Sequence, residues 1–300
     1  MIGHRSYSRP LTARDTSCLF PRVIAAIDFS AASLGAARWG IAHVATGADA
    51  VVAHIVPSSL DSSDDALVDS GDSRDSHGET AALRGGLGGF AATLDVASAR
   101  SVVRFGRASR WLSDLAAESR AGLLILGRRA DTNRRGIGEP NVLQRATRCT
   151  DASVLVVPEG TIEPPTHIVA AVDRSAVANR VVEHAQALAR RRHSCTLTLV
   201  HVVSPTTESY DRAPRSSRRP STASPPHAAH IPSPADRDHL HVLTGDPARE
   251  IVRHAEHNES ALIVVGKCGD DGAPAGSLGS VARELLMRAP FPVLAIGEGA

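Results

Sequence analysis

The pattern of hydrophobic and polar residues along the chain occurs twice. Short apolar runs rich in β-branched residues alternate with longer stretches of helical pattern, which predicts strands that alternate with helices. The run at 22–28, which ends in Asp28, returns at 167–173, which ends in Asp173. In each copy a serine follows two residues after the aspartate, where a helix is predicted to begin.

The two copies stay parallel along the rest of their length. The predicted first helices lie at 31–45 and 176–190, and the second strands at 50–56 and 197–203. From the third strand onward the copies align without a gap at an offset of 139 residues, as between Gly127 and Gly266 (266 minus 127). Strands and helices at this spacing predict parallel βαβ units, and a repeat of this length indicates tandem domains rather than a solenoid.

The repeat sets the domain organisation. We predict a flexible tail at 1–21, a first domain at 22–158, a linker at 159–166 and a second domain at 167–298. The tail is rich in Ser and Arg and has no apolar centre typical of a signal peptide. Residues 204–238 contain seven prolines, which predicts a disordered insert. The matching stretch of the first domain, 80–97, is predicted to be a helix weakened by four glycines.

Composition then narrows the classes of function. A formal net charge of +1 argues against a dedicated nucleic-acid binder. No apolar run approaches the roughly 18 residues that a membrane helix needs. The four cysteines (Cys18, Cys149, Cys195 and Cys268) have no paired spacing, which is typical of reduced thiols rather than of disulfides or a zinc site. We therefore expect a cytoplasmic protein without nucleic-acid, membrane or metal partners.

The strongest chemical signal lies at 266–280. Gly266 is followed after two residues by Gly269, and after nine more by Gly279 and Ser280. A strand is predicted before this loop and a helix after it. Glycines let the backbone approach a ligand, and a helix start offers N–H groups and a positive dipole end that suit phosphate. Ser280 can cap this helix or donate to a phosphate oxygen. An ordinary strand–loop–helix connection is the alternative.

These motifs together resemble the ATP-binding universal stress proteins. The resemblance covers about residues 22–298 and implies an α/β fold of two tandem doubly wound domains, each a five-stranded parallel sheet flanked by helices, similar to the adenine nucleotide alpha hydrolases. It implies ATP as the ligand, with magnesium as a candidate companion ion, and no catalytic residues. The residues that it assigns to the nucleotide are Ala171, Asp173, Val202, Val265, Gly266, Gly269, Gly279 and Ser280. For Asp173 a purely helix-capping role is the alternative.

The first domain departs from the motif. At the offset of 139, the last three motif positions, Gly269, Gly279 and Ser280, correspond to Ala130, Pro140 and Asn141. Proline has no N–H to offer to a phosphate, and alanine tolerates positive φ poorly. Four arginines crowd this loop: Arg128, Arg129, Arg134 and Arg135. We interpret them as a solvated basic loop. Two alternatives stay open: the arginines could attract an anion, and Gly136 and Gly138 could form a ligand-binding loop at a displaced position.

Histidines give weaker signals. His54 and His201 follow apolar runs, and we interpret them as core or strand-end residues rather than ligands. A loose cluster follows or accompanies the proline-rich stretch: His227, His230, His239 and His241. Without cysteines or carboxylates at ligand spacing, histidine-rich disorder is a better interpretation of it than metal binding.

Three functions remain. The first is an ATP-binding stress-response regulator whose nucleotide is held mainly by the second domain. The second is an interaction module of the same fold that binds no nucleotide. The third, an enzyme on a related fold, lacks a recognisable catalytic set, so we expect at most slow ATP hydrolysis.

The final strands predict how the halves assemble. The runs 154–157 and 293–296 are short and apolar, and the resemblance places each at a sheet edge. A bare apolar edge invites pairing. About ten residues from Pro158 to His167 can span roughly 33 Å when extended. We therefore predict an intramolecular pseudo-dimer of the two domains. A homodimer of whole chains and an unidentified protein partner stay open.

Overall fold

The described residues form one ten-stranded sheet with helices on both faces. A computed structural model describes residues 18–57, 76–130, 142–192, 195–204, 240–257, 261–269 and 278–297. The strands are β1 (Arg22–Ala26), β2 (Asp49–Val56), β3 (Ser98–Phe105), β4 (Leu123–Arg128), β5 (Ser153–Pro158), β6 (His167–Ala171), β7 (Thr196–Val203), β8 (Leu240–Thr244), β9 (Ala261–Gly266) and β10 (Val293–Ile296). The helices are α1 (Ala31–His43), α2 (Ser76–Ala91), α3 (Ala108–Ser119), α4 (Val142–Cys149), α5 (Ala178–Arg190), α6 (Pro247–Glu256) and α7 (Ser280–Arg288).

Each half contributes five strands in the same order. Across the sheet the order is β3-β2-β1-β4-β5-β10-β9-β6-β7-β8, and all neighbours within a half are parallel. In each half the second and third strands therefore lie on one side of the first strand, and the fourth and fifth strands lie on its other side. The switch points lie between β1 and β4 and between β6 and β9. The predicted fold of two doubly wound, five-stranded halves is confirmed.

The two halves meet at the centre of the sheet. β10 pairs with β5 in antiparallel register, with Val293 opposite Val156 and Ala295 opposite Val154. All four side chains are fully buried. The predicted pairing of the two final strands within one chain is therefore present in the structure. The backbone N–H and C=O groups of β5 and β10, which would otherwise be unpaired at two sheet edges, thus bond to each other.

Two apolar layers cover the sheet. Alternate side chains of the strands point to opposite faces, so each strand supplies both layers. One layer packs against α1, α2 and α5, and the other against α3, α4, α6 and α7. Both layers include residues from both halves, for instance Ile125 and Leu294 in the first layer and Val154 and Ile263 in the second.

Some predicted boundaries differ from the structure. α2 begins earlier than the predicted 80–97 and also ends earlier. At its C-terminal end, Leu94 N donates to the Ala91 carbonyl in a tighter turn that leaves the helix. Its glycines are tolerated because Leu87 and Ala91 are buried in the core, and packing outweighs propensity. α5 begins two residues later than predicted. Ser30 caps α1 by accepting from Ser33 N, whereas Ser175 does not cap α5.

Other predictions fall outside the described residues. The insert at 204–238 lies outside them apart from Ser204, and so does the tail up to residue 17. None of the helices described here is long and apolar enough to cross a membrane.

Side chains also join the two halves beside the central strands. The Trp39 indole donates to the Glu163 carbonyl at 2.8 Å and lies edge-on to the His43 ring at 5.1 Å. Arg192, just after α5, places its Nη2 2.9 Å from His43 Nδ1. Burial, and then the charge of Arg192, lower the pKa of His43 from 6.5 to about 4. The interface thus holds His43 in its neutral form.

The neutral state of His43 makes the stability of the protein depend on pH. As the pH falls from 6.5 towards about 4, the unfolded chain takes up a proton that the folded chain does not, so the free energy of unfolding falls. We expect His43→Gln to reduce this fall. Urea unfolding of both proteins near pH 7 and near pH 5 measures it, and an equal fall in parent and variant would contradict the assignment.

Gly127, in β4, meets the start of α1 so closely that only glycine fits. A Cβ at this position would lie 2.6 Å from Ser33 N and closer still to the Ala32 carbonyl, and these backbone atoms have little freedom to move. Gly127→Ala should lower the free energy of unfolding by roughly 1–3 kcal/mol, as overpacking does.

A glycine of α1 provides the control. A Cβ at Gly35 would meet nothing within 4 Å, so Gly35→Ala should raise the free energy of unfolding by roughly 0.5–1 kcal/mol through helix propensity. Urea denaturation measures both variants. A Gly127→Ala protein as stable as the parent would show that the start of α1 can move away from β4.

Candidate functional site

The candidate site lies at the switch point of the second half, beyond the carboxyl ends of β6 and β9. β6 ends at Ala171, and Asp173 follows after one residue. Asp173 Oδ1 accepts hydrogen bonds from Ser175 N at 2.9 Å and from Ser175 Oγ at 2.5 Å. These bonds fix the carboxylate at the mouth of the crevice, where open α/β sheets bind their ligands.

The glycine loop begins where β9 ends. Lys267 N donates to the Ile296 carbonyl at 2.9 Å, which keeps the chain beside β10 for one residue after Gly266. Gly279 N then donates to the Lys267 carbonyl at 2.7 Å, so the two ends of the loop are held together. Gly279 is the N-cap residue of α7. Residues 270–277, between Gly269 and this bond, lie outside the described residues.

The two motifs meet in space. A Cβ at Gly269 would lie 3.2 Å from Asp173 Oδ2, so the glycine loop and the aspartate of β6 are neighbours although they are far apart in sequence. Beside them is a cavity of about 200 Å³. All eight residues assigned from the sequence line it: Ala171, Asp173, Val202, Val265, Gly266, Gly269, Gly279 and Ser280.

Sequence reasoning missed part of the cavity wall. α6 contributes Pro247 and Ile251 to this wall. The other additional lining residues are Val172, Val181, Val200, Ser204, Val281 and Ala282. The signal for α6 was present, because Gly245 ends a third parallel strand and Asp246 caps the helix that follows by accepting from Arg249 N at 3.0 Å. The carboxyl ends of parallel strands share one edge, so this helix start belongs to the same crevice.

Of the two roles predicted for Ser280, the capping of α7 is wrong. It is the first residue of the helix, and the N-cap is Gly279, which offers no side chain. In this respect α7 differs from α1 and α6, whose first turns are capped by the side chains of Ser30 and Asp246. The first turn of α7 thus lies at the cavity, and its N-cap residue, Gly279, has no side chain that could accept from the N–H groups of that turn.

In the first half, the aspartate that matches Asp173 carries an ion pair. Asp28 repeats the local geometry of Asp173, with Ser30 N at 3.0 Å and Ser30 Oγ at 2.5 Å from its Oδ1. Its Oδ2, however, forms an ion pair with Arg129 at 2.9 Å, at the position that Cys268 occupies in the second half. Burial raises the pKa of Asp28, but hydrogen bonds from Ser30 and Ser33 and the charge of Arg129 bring it below its ordinary value.

Helix position adds to this difference between the halves. α1 begins three residues after Asp28, and its backbone presses on Gly127. α5 begins five residues after Asp173, and the nearest neighbours of a Cβ at Gly266 are the Cys268 carbonyl at 3.1 Å and the Val177 side chain at 3.5 Å. The later start of α5 leaves room at the second switch point that the first lacks.

The interpretation of the first-half arginines as solvated is wrong for Arg128. This residue ends β4 and is 8% exposed, because its guanidinium reaches the second half and donates to the carbonyls of Leu286 and Ala289. Arg129 is exposed and pairs with Asp28. Arg134 and Arg135, together with Gly136 and Gly138, lie outside the described residues.

The histidines at the strand ends have structural partners. His54 Nδ1 lies 2.7 Å from the Ile27 carbonyl, and His201 Nδ1 lies 2.8 Å from the Val172 carbonyl. His241 stacks edge-on against His254 with ring centroids 5.1 Å apart. The other three histidines of the predicted cluster lie outside the described residues, within which no group of three or more His, Cys, Asp or Glu could hold a metal ion.

Fold and site together define a tandem, doubly wound α/β protein with a cavity at the switch point of its second half. The sequence profile of the universal stress protein family matches residues 20–158 and again residues 165–297. The chain therefore belongs to the universal stress protein family, with two copies of its domain.

Solved structures share the fold, and one curated relative is similar in sequence over a short stretch. A universal stress protein from Archaeoglobus fulgidus is similar over 92% of this chain and 98% of its own, with a TM-score of 0.61 and 14% identity. A putative universal stress protein from Pseudomonas aeruginosa covers 93% of both chains, with a TM-score of 0.56 and 16% identity. The universal stress protein MJ0531 of Methanocaldococcus jannaschii is 43% identical over 58 residues, which are 19% of this chain and only 34% of that relative.

Proposed function

We propose that the second half binds one ATP molecule per chain and that the protein acts as a stress-response regulator through this nucleotide. The observation that carries the proposal is the convergence of two motifs on one cavity. The residues that follow β6 and the glycine loop after β9 meet at Asp173 and Gly269. The pairing of β6 with β9 brings both motifs to the sheet edge at which open α/β sheets bind their ligands.

Each part of the cavity suits one part of the nucleotide. The start of α7 offers N–H groups and a positive dipole end to the phosphates. The carboxylate of Asp173, held by hydrogen bonds from Ser175, would accept a hydrogen bond from the adenine amino group. Apolar side chains such as Val202 and Ile251 suit the faces of the base. Magnesium would accompany the nucleotide through phosphate oxygens rather than through a set of protein ligands.

The first half is proposed not to bind. The ion pair between Arg129 and Asp28 occupies the carboxylate that would meet adenine, and α1 covers Gly127. A ligand would have to displace both.

Paired substitutions test the site. Asp28 and Asp173 make the same hydrogen bonds to the serine two residues later, so alanine at either position removes the same local interaction. We expect Asp173→Ala to weaken ATP binding about tenfold or more, the loss of one hydrogen bond to a charged group. Asp28→Ala should leave the affinity unchanged. Titration calorimetry with ATP measures both affinities and should give one site per chain in the parent.

Weaker ATP binding in Asp28→Ala, with unchanged binding in Asp173→Ala, would instead assign the site to the first half. If the purified parent neither retains an adenine nucleotide, by mass spectrometry after denaturation, nor binds added ATP, the second interpretation takes over. The protein would then be an interaction module of the same fold in which the glycine loop has lost its ligand.

We also expect any hydrolysis of ATP to be slow. Among the described residues that line the cavity, Asp173 alone carries a charge, so no arginine or lysine there can stabilise the charge that develops on a transferred phosphoryl group. A coupled assay for ADP should therefore give turnover well below the roughly 1–100 s⁻¹ of dedicated kinases. Turnover within that range, lost in Asp173→Ala but not in Asp28→Ala, would instead make the protein an enzyme.

A further inference from the structure

Two buried cations cross the interface between the halves in opposite directions. Arg128 and Lys267 are equivalent residues, each directly after the glycine that marks the end of the repeat's fourth strand, Gly127 or Gly266. Arg128 is 8% exposed and Lys267 is 4% exposed. A buried charge is costly unless it is well hydrogen-bonded, so the partners of these two side chains matter to the fold.

Each cation reaches the last helix of the other half. Arg128 donates to the carbonyls of Leu286, at 2.8 Å, and Ala289, at the C-terminal end of α7. Lys267 Nζ donates to the carbonyls of Thr150 and Ala152, just beyond the C-terminal end of α4. The carbonyls that Arg128 contacts lie at the negative end of the α7 dipole, which stabilises the cation. The carbonyls that Lys267 contacts lie in the segment after α4 and satisfy its charge by hydrogen bonds.

Only Lys267 is also joined through its backbone to the glycine loop beside the cavity. Its own carbonyl accepts from Gly279 N at 2.7 Å, and its N–H donates to Ile296 O at 2.9 Å. The backbone of Lys267 therefore holds the start of α7 in place, while its side chain is anchored in the first half. Arg128 holds the opposite end of the same helix.

We propose that Lys267 is a positioning residue that anchors the glycine loop of the second half to the first half. The first half then has a defined task, because it supplies the fixed carbonyls on which the geometry of the second-half crevice depends. The anchoring is independent of any ligand. Only its effect on ATP affinity rests on the proposed function.

Amide exchange in the ligand-free protein tests the anchor. Lys267→Met should raise the exchange rate of the Gly279 amide at least about fivefold, the low end of typical coupling between sites, and should change the Ala289 amide, which bonds to Leu285 O, much less. Arg128→Met is the matched control, because it removes an equivalent cation from the other end of α7. It should raise exchange at Ala289 more than at Gly279.

Further variants keep the test decisive. Lys267→Arg should restore slow exchange at Gly279, since Arg128 performs the same role in the first half. If Lys267→Met does not fold, Lys267→Gln, which keeps a donor without the charge, should show the same pattern at smaller amplitude. Unchanged exchange at Gly279, or equal acceleration at both ends of α7 in both methionine variants, would overturn the proposal.

Binding separates this inference from the proposed function. If the parent binds ATP, Lys267→Met should lower the affinity at least about fivefold more than Arg128→Met does. Equal affinities of these two variants, in a parent that binds, would also overturn the anchor. If the parent binds no ATP, the proposed function fails, and the exchange rates at Gly279 and Ala289 still decide the anchor.

Discussion

Antiparallel hydrogen bonding between β5 and β10 is the interaction on which the rest of this structure depends. Each strand is short, apolar and last in its own half, and alone would expose unpaired backbone groups along a hydrophobic edge. Pairing them buries both edges and turns two five-stranded sheets into one. It also brings the C-terminal end of each half's last helix beside the other half, where Arg128 and Lys267 can reach it.

The same template supports two different crevices because the local sequence differs at a few positions. At the first switch point an arginine follows two residues after the glycine and pairs with the strand-end aspartate. At the second, Cys268 occupies the equivalent position, and α5 starts later than α1 relative to its aspartate. The two switch points thus differ by a helix start shifted by about half a turn and by one exchanged side chain.

The sequence pattern was sufficient for the fold, because the fold rests on backbone periodicity. The resemblance to the universal stress proteins, rather than periodicity, supplied eight of the residues that line the cavity. The sequence was insufficient where the outcome depends on contacts between distant segments. Arg128 looks like one of several loop arginines until the register of β5 with β10 places helix carbonyls beside it. Likewise Ser30 and Ser175 follow equivalent aspartates, yet only Ser30 caps a helix. The wall that α6 contributes was readable from Gly245 and Asp246.

The covalent link between the halves has a genetic consequence. In a symmetric homodimer every codon change appears in both subunits, so an arginine that pairs with the strand-end aspartate of one copy does so in the other as well. Here Arg129 is encoded once and pairs with Asp28 of the first half. One copy of the domain can therefore lose a ligand seat by mutation and be retained as scaffold, while its duplicate stays under selection for whatever it holds.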